Sequence, residues 1–558
     1  MRVRHSLIAI MAVAGIVAVY YLFRMMEYGG WVNSLIDLAI ALIVTAASFV
    51  LIYFEKEKIN KEWLLFIVYV VAAIIMGLKV ATPNMLSNAY NLHHASAVVD
   101  SIYNVLHGVQ FSGDQTDQYG HYSLFFYLPL KLFGESMLTL SAIMGAIYAA
   151  SFFCLCGAIH ITLRSNYMKV LTAIAAALFV TTLTANSIYW QNLPLRAVFP
   201  FIMIFVVAFY AKRKDPLTKK EYAIGSIISI LAILWNFESG VAVSAAWFMY
   251  LIINYYQKND FNAKSLIKNM SIIVAAMIFY ILVPFITVNL YNWLVTGFDT
   301  NSLLSIKEFV GSMTDSEYFG RLNTKWIWYT QTNITSIFMM FLFLGCIAWA
   351  LRSTSMLSKK GSPSALPILA ATVSITGLVL LTQCINRAVS VPGHVWIYAA
   401  VALGIIASGM VSEIRSIKGW KKFELYGLLK VSICSLALIG LALMGTAGMD
   451  LKDSFEDKHA TGAYDNRAFV SFAEKVGAKV PKDTLAVGEG TSAIYLELGW
   501  DKHYYKFYST EVELKDCFSS NDSFFIKKSL STHVDTIKYG LAWDIVYKGT
   551  TYEYYVRK

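Results

Sequence analysis

Long apolar stretches alternate with short polar segments along almost the whole chain. A helix needs about 20 mostly apolar residues to cross a bilayer. Spans are predicted near residues 6–23, 32–54, 64–82, 138–161, 170–186, 197–211, 222–236, 241–256, 270–291, 333–351, 366–385, 397–414 and 428–448. The pattern predicts an α-helical polytopic membrane protein with about 13 transmembrane helices.

The basic residues between these spans predict the orientation of the chain. Lysine and arginine are enriched in cytoplasmic loops. With the N-terminus in the cytoplasm, each cytoplasmic loop carries at least two of them: EKEKINKE, RSNYMK, KRKDPLTKKE, QKNDFNAKSLIKN, RSTSMLSKK and RSIKGWKK. Because three predicted spans precede it, the long loop 83–137 lies outside the cytoplasm in this orientation. Within that loop, the apolar segment YSLFFYLPLKLF is too short to span and predicts an interfacial or re-entrant helix.

The last part of the chain changes character. Residues 1–449 form the predicted transmembrane domain, and 450–558 form a small extracytoplasmic α/β domain. In this domain NRAFVSFAEKVGAKVPKDTLAVG predicts an amphipathic helix, a Gly/Pro break and a strand, and WDIVYKGTTYEYYV predicts a hairpin. Its many aromatic side chains are expected to pack in a core rather than to stack on sugars.

Composition supports the membrane prediction. Hydrophobic residues make up 57% of the 558 and charged residues only 15%, whereas about 25% of a soluble chain is charged. The net charge of +10 lies in short loops, where it orients the chain, so nucleic-acid binding is not expected. The six cysteines form no CxxC motif or disulfide framework. The first apolar run is interpreted as a retained span because it continues to about Phe23.

The first external loop holds the candidate chemistry. Its 39 residues from Pro83 to His121 contain three aspartates and four histidines but no lysine or arginine. The candidate catalytic residues are His93, His94, Asp100, Asp114 and Asp117, and Tyr119 and His121 are candidate substrate-binding residues. The alternative is a polar surface loop with turn chemistry at SGDQ. A divalent metal on His93, His94, Asp114 and Asp117 stays open, although their spacing matches no helix-borne metal motif, and no cofactor is certain.

Two arginines at external span ends are candidate phosphate ligands. Arg196 lies in SIYWQNLPLRAVFP, and Arg387 lies in CINRAVSVPGHVW with His394 nearby. A guanidinium is a fork of donors that suits a phosphate, although external arginines also extend towards lipid headgroups. Glu238, in WNFESG between two short spans, is expected either to bind a sugar hydroxyl or to cap the helical hairpin.

These features resemble the GT-C superfamily of integral-membrane glycosyltransferases. The similarity lies in HHASAVVDSIYNVLHG and DQTDQYGHYSLFFYLPLKLFG, together with thirteen spans, an internal N-terminus and an external C-terminal domain. In the superfamily an acidic residue early in the first external loop is the catalytic acid. Here no carboxylate lies between Asn91 and His94. Either a histidine has replaced it, or Asp100, Asp114 or Asp117 is the base.

The resemblance implies a donor sugar on a polyprenyl phosphate and a glycan, lipid or protein acceptor outside a bacterial cytoplasm. A carboxylate or imidazole would deprotonate the acceptor hydroxyl, Arg196 and Arg387 would stabilise the departing phosphate, and the anomeric centre would invert. Membrane lipids would surround the enzyme. Three other classes stay open: a secondary transporter or flippase, a polysaccharide polymerase or ligase, and a membrane scaffold.

Overall fold

The computed structural model describes most of the chain after residue 61. The described ranges are 62–81, 89–111, 120–163, 190–213, 216–259, 263–309, 331–358, 365–387, 393–414, 466–488, 490–500, 511–547 and 549–558, with short helical pieces between 166 and 177. The predicted spans 6–23, 32–54 and 428–448, and much of 170–186, lie outside these residues. The predicted total of about 13 transmembrane helices therefore stays a prediction.

Helices dominate the described part before residue 415. They are α1 Glu62–Ala81, α2 Ala89–Leu106, α3 Ser123–Phe133, α4 Met137–Thr162, α5 Val198–Ala211, α6 Lys219–Trp235, α7 Phe237–Lys258, α8 Ala263–Val295, α9 Gln331–Ser358, α10 Ala365–Arg387 and α11 Gly393–Ile414. Among the described residues, four apolar segments are long enough to cross a membrane: Met137–Thr162, Phe237–Tyr256, Lys264–Val295 and Ala365–Thr382. The apolar pattern located α1 and α3–α11 to within a few residues, except for longer ends on α8 and α9, whereas α2 was not among the predicted apolar segments.

Small residues allow α1 and α4 to cross closely. A Cβ on Gly77 would lie 2.7 Å from the Ala149 Cβ and 2.8 Å from the Gly145 carbonyl oxygen. A Cβ on Gly145 would lie 2.5 Å from the Ala81 Cβ. Each helix thus presents two small residues four positions apart, the spacing that permits close contact between membrane helices.

The hairpin between α6 and α7 is tighter than expected. The prediction of a turn over Phe237–Gly240 was wrong, because Asn236 alone separates the two helices. Its side-chain oxygen accepts a hydrogen bond of 2.8 Å from the Ser239 amide and caps α7. A Cβ on Gly240 would lie 2.4 Å from the Ile233 Cα, so the close return requires glycine. Glu238 therefore lies in the first turn of α7 rather than at the tip of a loop.

The segment predicted to be interfacial forms α3, which has 11 residues. One side of α3 is buried through Phe126 and Leu130, whereas Leu128 and Phe133 are exposed at 62% and 75%. The helix is thus short, as predicted, with one side buried in the protein and exposed apolar side chains on the other. Its position relative to a bilayer stays a prediction.

The C-terminal segment combines helices with a four-stranded sheet. Its elements are α12 Asn466–Gly477, β1 Leu485–Val487, α13 Thr491–Leu498, α14 Glu511–Ser519, β2 Ser523–Lys527, β3 Tyr539–Tyr547 and β4 Thr550–Arg557. The strand order is β1-β2-β4-β3, with β1 parallel to β2 and the other two pairs antiparallel. The predicted helix, strand and hairpin are all present. Tyr552, Tyr554 and Tyr555 are buried, so the expectation of core packing is confirmed for them.

Candidate functional site

Segments that the sequence assigned to the external side meet at one end of the helices. The Trp190 indole donates a hydrogen bond of 3.1 Å to the carbonyl oxygen of Val80, near the end of α1. The His121 amide donates one of 3.0 Å to the Leu234 carbonyl oxygen, near the end of α6. At the α5–α6 connection, which the sequence assigned to the cytoplasm, Arg213 pairs with Glu221. The orientation of these two ends relative to a membrane stays a prediction.

Among the side chains that the structure describes at this end, Arg196 is the most buried cation, with 1% of its surface exposed. Its Nε donates to Glu238 Oε2 at 2.7 Å, and its Nη2 lies 2.6 Å from the same oxygen. Its Nη1 donates to the Gln191 carbonyl oxygen at 2.7 Å and to Asn192 Oδ1 at 3.1 Å. The guanidinium is therefore held by a carboxylate and by its own loop. Phosphate binding by Arg196 stays a prediction.

Glu238 differs from Arg196 in its access to solvent. The Glu238 side chain is 30% exposed, whereas that of its partner is 1% exposed. The Trp235 indole donates a hydrogen bond of 2.8 Å to the Leu195 carbonyl oxygen, so the turn before Glu238 is fixed to the Arg196 loop. The pair thus presents a partly exposed carboxylate that is held in place by a buried guanidinium and a fixed turn. The sequence identified both Glu238 and Arg196 as candidates, but it could not show that they form an ion pair.

The end of the first external loop packs directly on the α6–α7 turn. Gly120 has a φ of +110°, and a Cβ there would lie 2.5 Å from the Trp235 carbonyl oxygen. The next residue, His121, is fully buried. Its ring stacks on Phe309, with ring centroids 5.1 Å apart, and contacts Phe111 edge to face at 4.9 Å. Burial lowers the pKa of His121 to about 3, so the imidazole is neutral.

Two asparagines on α8 hold the loops that flank this histidine. Asn292 is fully buried. Its side chain accepts from the Phe111 amide at 2.8 Å and donates to the Phe111 and Ser302 carbonyl oxygens at 2.7 and 3.0 Å. One turn earlier, Asn289 makes equivalent contacts with both backbone groups of Leu304. Sequence reasoning missed this pair, although two amides one turn apart at the end of an apolar span were a visible signal.

Asp100 lies elsewhere, at the junction with the C-terminal segment. It is 3% exposed, and its Oδ1 accepts a hydrogen bond from the Ser492 hydroxyl at the start of α13. On α2, the helix that carries Asp100, Ser96 Oγ accepts a hydrogen bond from the Gly490 amide at 2.6 Å. Asp100 and Ser96 thus hold the C-terminal segment against α2. The role of Asp100 as a base stays a prediction.

The other candidates are described only in part. His93 and His94 lie on α2, Arg387 ends α10 and His394 lies in the first turn of α11, but the structure describes only their backbone. Asp114, Asp117 and Tyr119 lie outside the described residues. Among the residues whose placement is described, no group of three or more His, Cys, Asp or Glu side chains could hold a metal ion. The proposed metal ligands are therefore untested.

No family model and no curated protein matches the sequence. The chain is similar to the crystal structure of ArnT from Cupriavidus metallidurans bound to undecaprenyl phosphate, with 10% sequence identity and a TM-score of 0.44 over 89% of this chain and 98% of that chain. It is also similar to the apo state of the same protein, with 10% identity and a TM-score of 0.45 over 88% of this chain and 98% of that one. ArnT is a GT-C glycosyltransferase. Similarity at this level assigns no activity or substrate to this chain.

Proposed function

We propose that the protein is an inverting membrane glycosyltransferase that uses a sugar on a polyprenyl phosphate. The observation that carries the proposal is the Arg196–Glu238 pair, a buried guanidinium and a partly exposed carboxylate at the polar end of an apolar helical bundle. Ionisable groups at membrane depth are costly and usually functional. The end of the predicted external loop, Gly120 and His121, packs against the α6–α7 turn next to this pair.

The proposed reaction is a single displacement at the anomeric carbon. An acceptor hydroxyl attacks this carbon while its bond to the phosphate oxygen breaks, and the polyprenyl phosphate leaves with the bonding electrons. Negative charge then grows on the phosphate, and an arginine placed against it stabilises the transition state. We assign this role first to Arg387, because the Arg196 guanidinium already contacts three acceptor groups.

The first loop supplies the other proposed groups. His93, His94, Asp114 and Asp117 stay candidates for proton transfer, and Tyr119 and His394 stay candidates for sugar contacts. Asp100 is a weaker candidate because its burial blocks approach of a hydroxyl. His121 is proposed to order the loop rather than to contact substrate, since its ring is enclosed by Phe111 and Phe309. The acceptor is a glycan, a lipid or a protein outside the cytoplasm.

Reconstituted protein tests this function. Proteoliposomes would receive polyprenyl phosphate carrying a radiolabelled hexose or pentose, together with a cell-envelope extract as acceptor. A glycosyltransferase releases polyprenyl phosphate and moves the label from the donor to a glycan, to a different lipid or to protein. A transporter or flippase would instead move the intact labelled lipid between leaflets without cleaving it, and a scaffold would do neither.

A further inference from the structure

We propose that Glu238 is the general base of the transfer reaction and that Arg196 is its positioning residue. This inference rests on the proposed function. Both Nε and Nη2 of Arg196 contact the same carboxylate oxygen, Oε2, at 2.7 and 2.6 Å. One oxygen is therefore anchored, and the partly exposed side chain leaves Oε1 as the oxygen for an acceptor hydroxyl.

Other described carboxylates near this end serve local structure. Asp100 accepts from Ser492 at a domain junction, and Glu497 accepts from the Met137 amide at 3.0 Å. Glu135 pairs with Lys131 at 2.6 Å on the surface. Asp299 and Glu308 accept amide hydrogen bonds within their own turns. Glu238 differs from these carboxylates because a fully buried guanidinium fixes it while part of its side chain stays accessible.

The surroundings of the pair restrict its motion. Asn236 caps α7 through the Ser239 amide at 2.8 Å, and the Trp235 indole ties the same turn to the Leu195 carbonyl oxygen at 2.8 Å. The loop of Arg196 and the first turn of α7 are therefore joined by hydrogen bonds as well as by the ion pair. A base held in a fixed orientation needs little reorganisation when the proton is transferred, which lowers the barrier of the step.

The step balances without a further reactant. The acceptor oxygen forms a bond to the anomeric carbon, the bond from that carbon to the phosphate oxygen breaks, and the phosphate takes the electron pair. The hydroxyl proton passes to Glu238 Oε1 and later to water. Arg196 contacts neither substrate nor reacting atoms and acts only through the orientation of the carboxylate.

Steady-state kinetics of Glu238→Gln in proteoliposomes, with the radiolabelled polyprenyl-phosphate donor, test the assignment. Removal of a general base lowers kcat by about 10²- to 10⁴-fold, and we expect KM for the donor to stay unchanged. Glu135→Gln is the matched control, because its side chain is 26% exposed and also paired with a cation; its kcat should equal that of the wild type. Arg196→Met should lower kcat less and add little to the loss in the double variant.

A second variant separates catalysis from folding. Glu238→Ala opens space for a small carboxylate, so added formate should raise the residual rate of this variant at least tenfold. Full kcat in Glu238→Gln would overturn the assignment and leave the proposed function standing. So would a Glu238→Ala protein that formate does not rescue. Wild-type protein that transfers no sugar would instead overturn the proposed function itself.

Discussion

Ser492 donates a hydrogen bond from its hydroxyl to the Asp100 carboxylate and joins two helices that lie 392 residues apart in the chain. The carboxylate lies at the first turn of α13, where a negative charge is favoured by the helix dipole. The Tyr103 hydroxyl, one turn further along α2, donates to the Trp500 carbonyl oxygen. The C-terminal segment is therefore fixed to the helix that carries His93 and His94.

Asp100→Asn and Ser492→Ala should have the same effect. Ser492→Ala removes a buried hydrogen bond, and Asp100→Asn keeps the accepting oxygen but replaces the carboxylate with a weaker acceptor, so each should cost about 1–3 kcal/mol. We expect both proteins to become more sensitive to limited proteolysis near α13 and to lose sugar transfer to the same modest extent. A dead Asp100→Asn protein beside an active Ser492→Ala protein, with equal protease resistance, would show that Asp100 is catalytic.

Asn292→Ala should loosen two loops at once. The side chain bonds to the backbone of Phe111 and Ser302, and leaving buried backbone groups unsatisfied costs about 1–3 kcal/mol. Hydrogen exchange measured by mass spectrometry should rise in peptides that cover residues 107–111 and 299–304. Asn259→Ala is the control, since that exposed side chain donates to the Tyr255 carbonyl oxygen at the end of its own helix. Unchanged exchange in both loops would contradict the prediction that Asn292 holds them in place.

Gly120→Ala should be much more harmful than Gly108→Ala. Both glycines have positive φ, +110° and +68°, but a Cβ on Gly108 meets nothing within 4 Å. The Gly120 Cβ would meet the Trp235 carbonyl oxygen at 2.5 Å. We expect a loss of about 3 kcal/mol or more for Gly120→Ala and about 1 kcal/mol for Gly108→Ala. Thermal unfolding in detergent measures both, and equal melting temperatures would refute the close approach.

Acid should destabilise the protein through His121. Burial lowers the pKa of His121 from 6.5 to about 3, so between these values the unfolded chain binds the extra proton. The free energy of unfolding therefore falls as the pH drops below 6.5, by about 2 kcal/mol at pH 5. His121→Phe keeps an aromatic ring against Phe309 and should remove this part of the pH dependence. A melting temperature that varies identically with pH in both proteins would contradict the buried neutral imidazole.

The sequence predicted most of the apolar helices well, because the length of an apolar stretch can be read from neighbouring residues alone. It also predicted the strand, the hairpin and the short α3 helix, since turn residues and alternation are local signals. The site was only partly predictable, because its contacts join distant residues. Arg196 and Glu238 are 42 positions apart, and nothing in either motif encodes their pairing. The contact of Asp100 with Ser492 could not be predicted either, because no local pattern connects α2 with the segment that carries Ser492.

The most direct test of the account is the stoichiometry of donor cleavage by purified wild-type protein in proteoliposomes. The donor carries one label on its sugar and another on its polyprenyl chain, and an extract supplies the acceptor. The account predicts that one polyprenyl phosphate is released for each sugar transferred, at a rate proportional to the amount of protein. Donor that stays intact while it changes leaflets, or that stays where it was placed, would contradict the account.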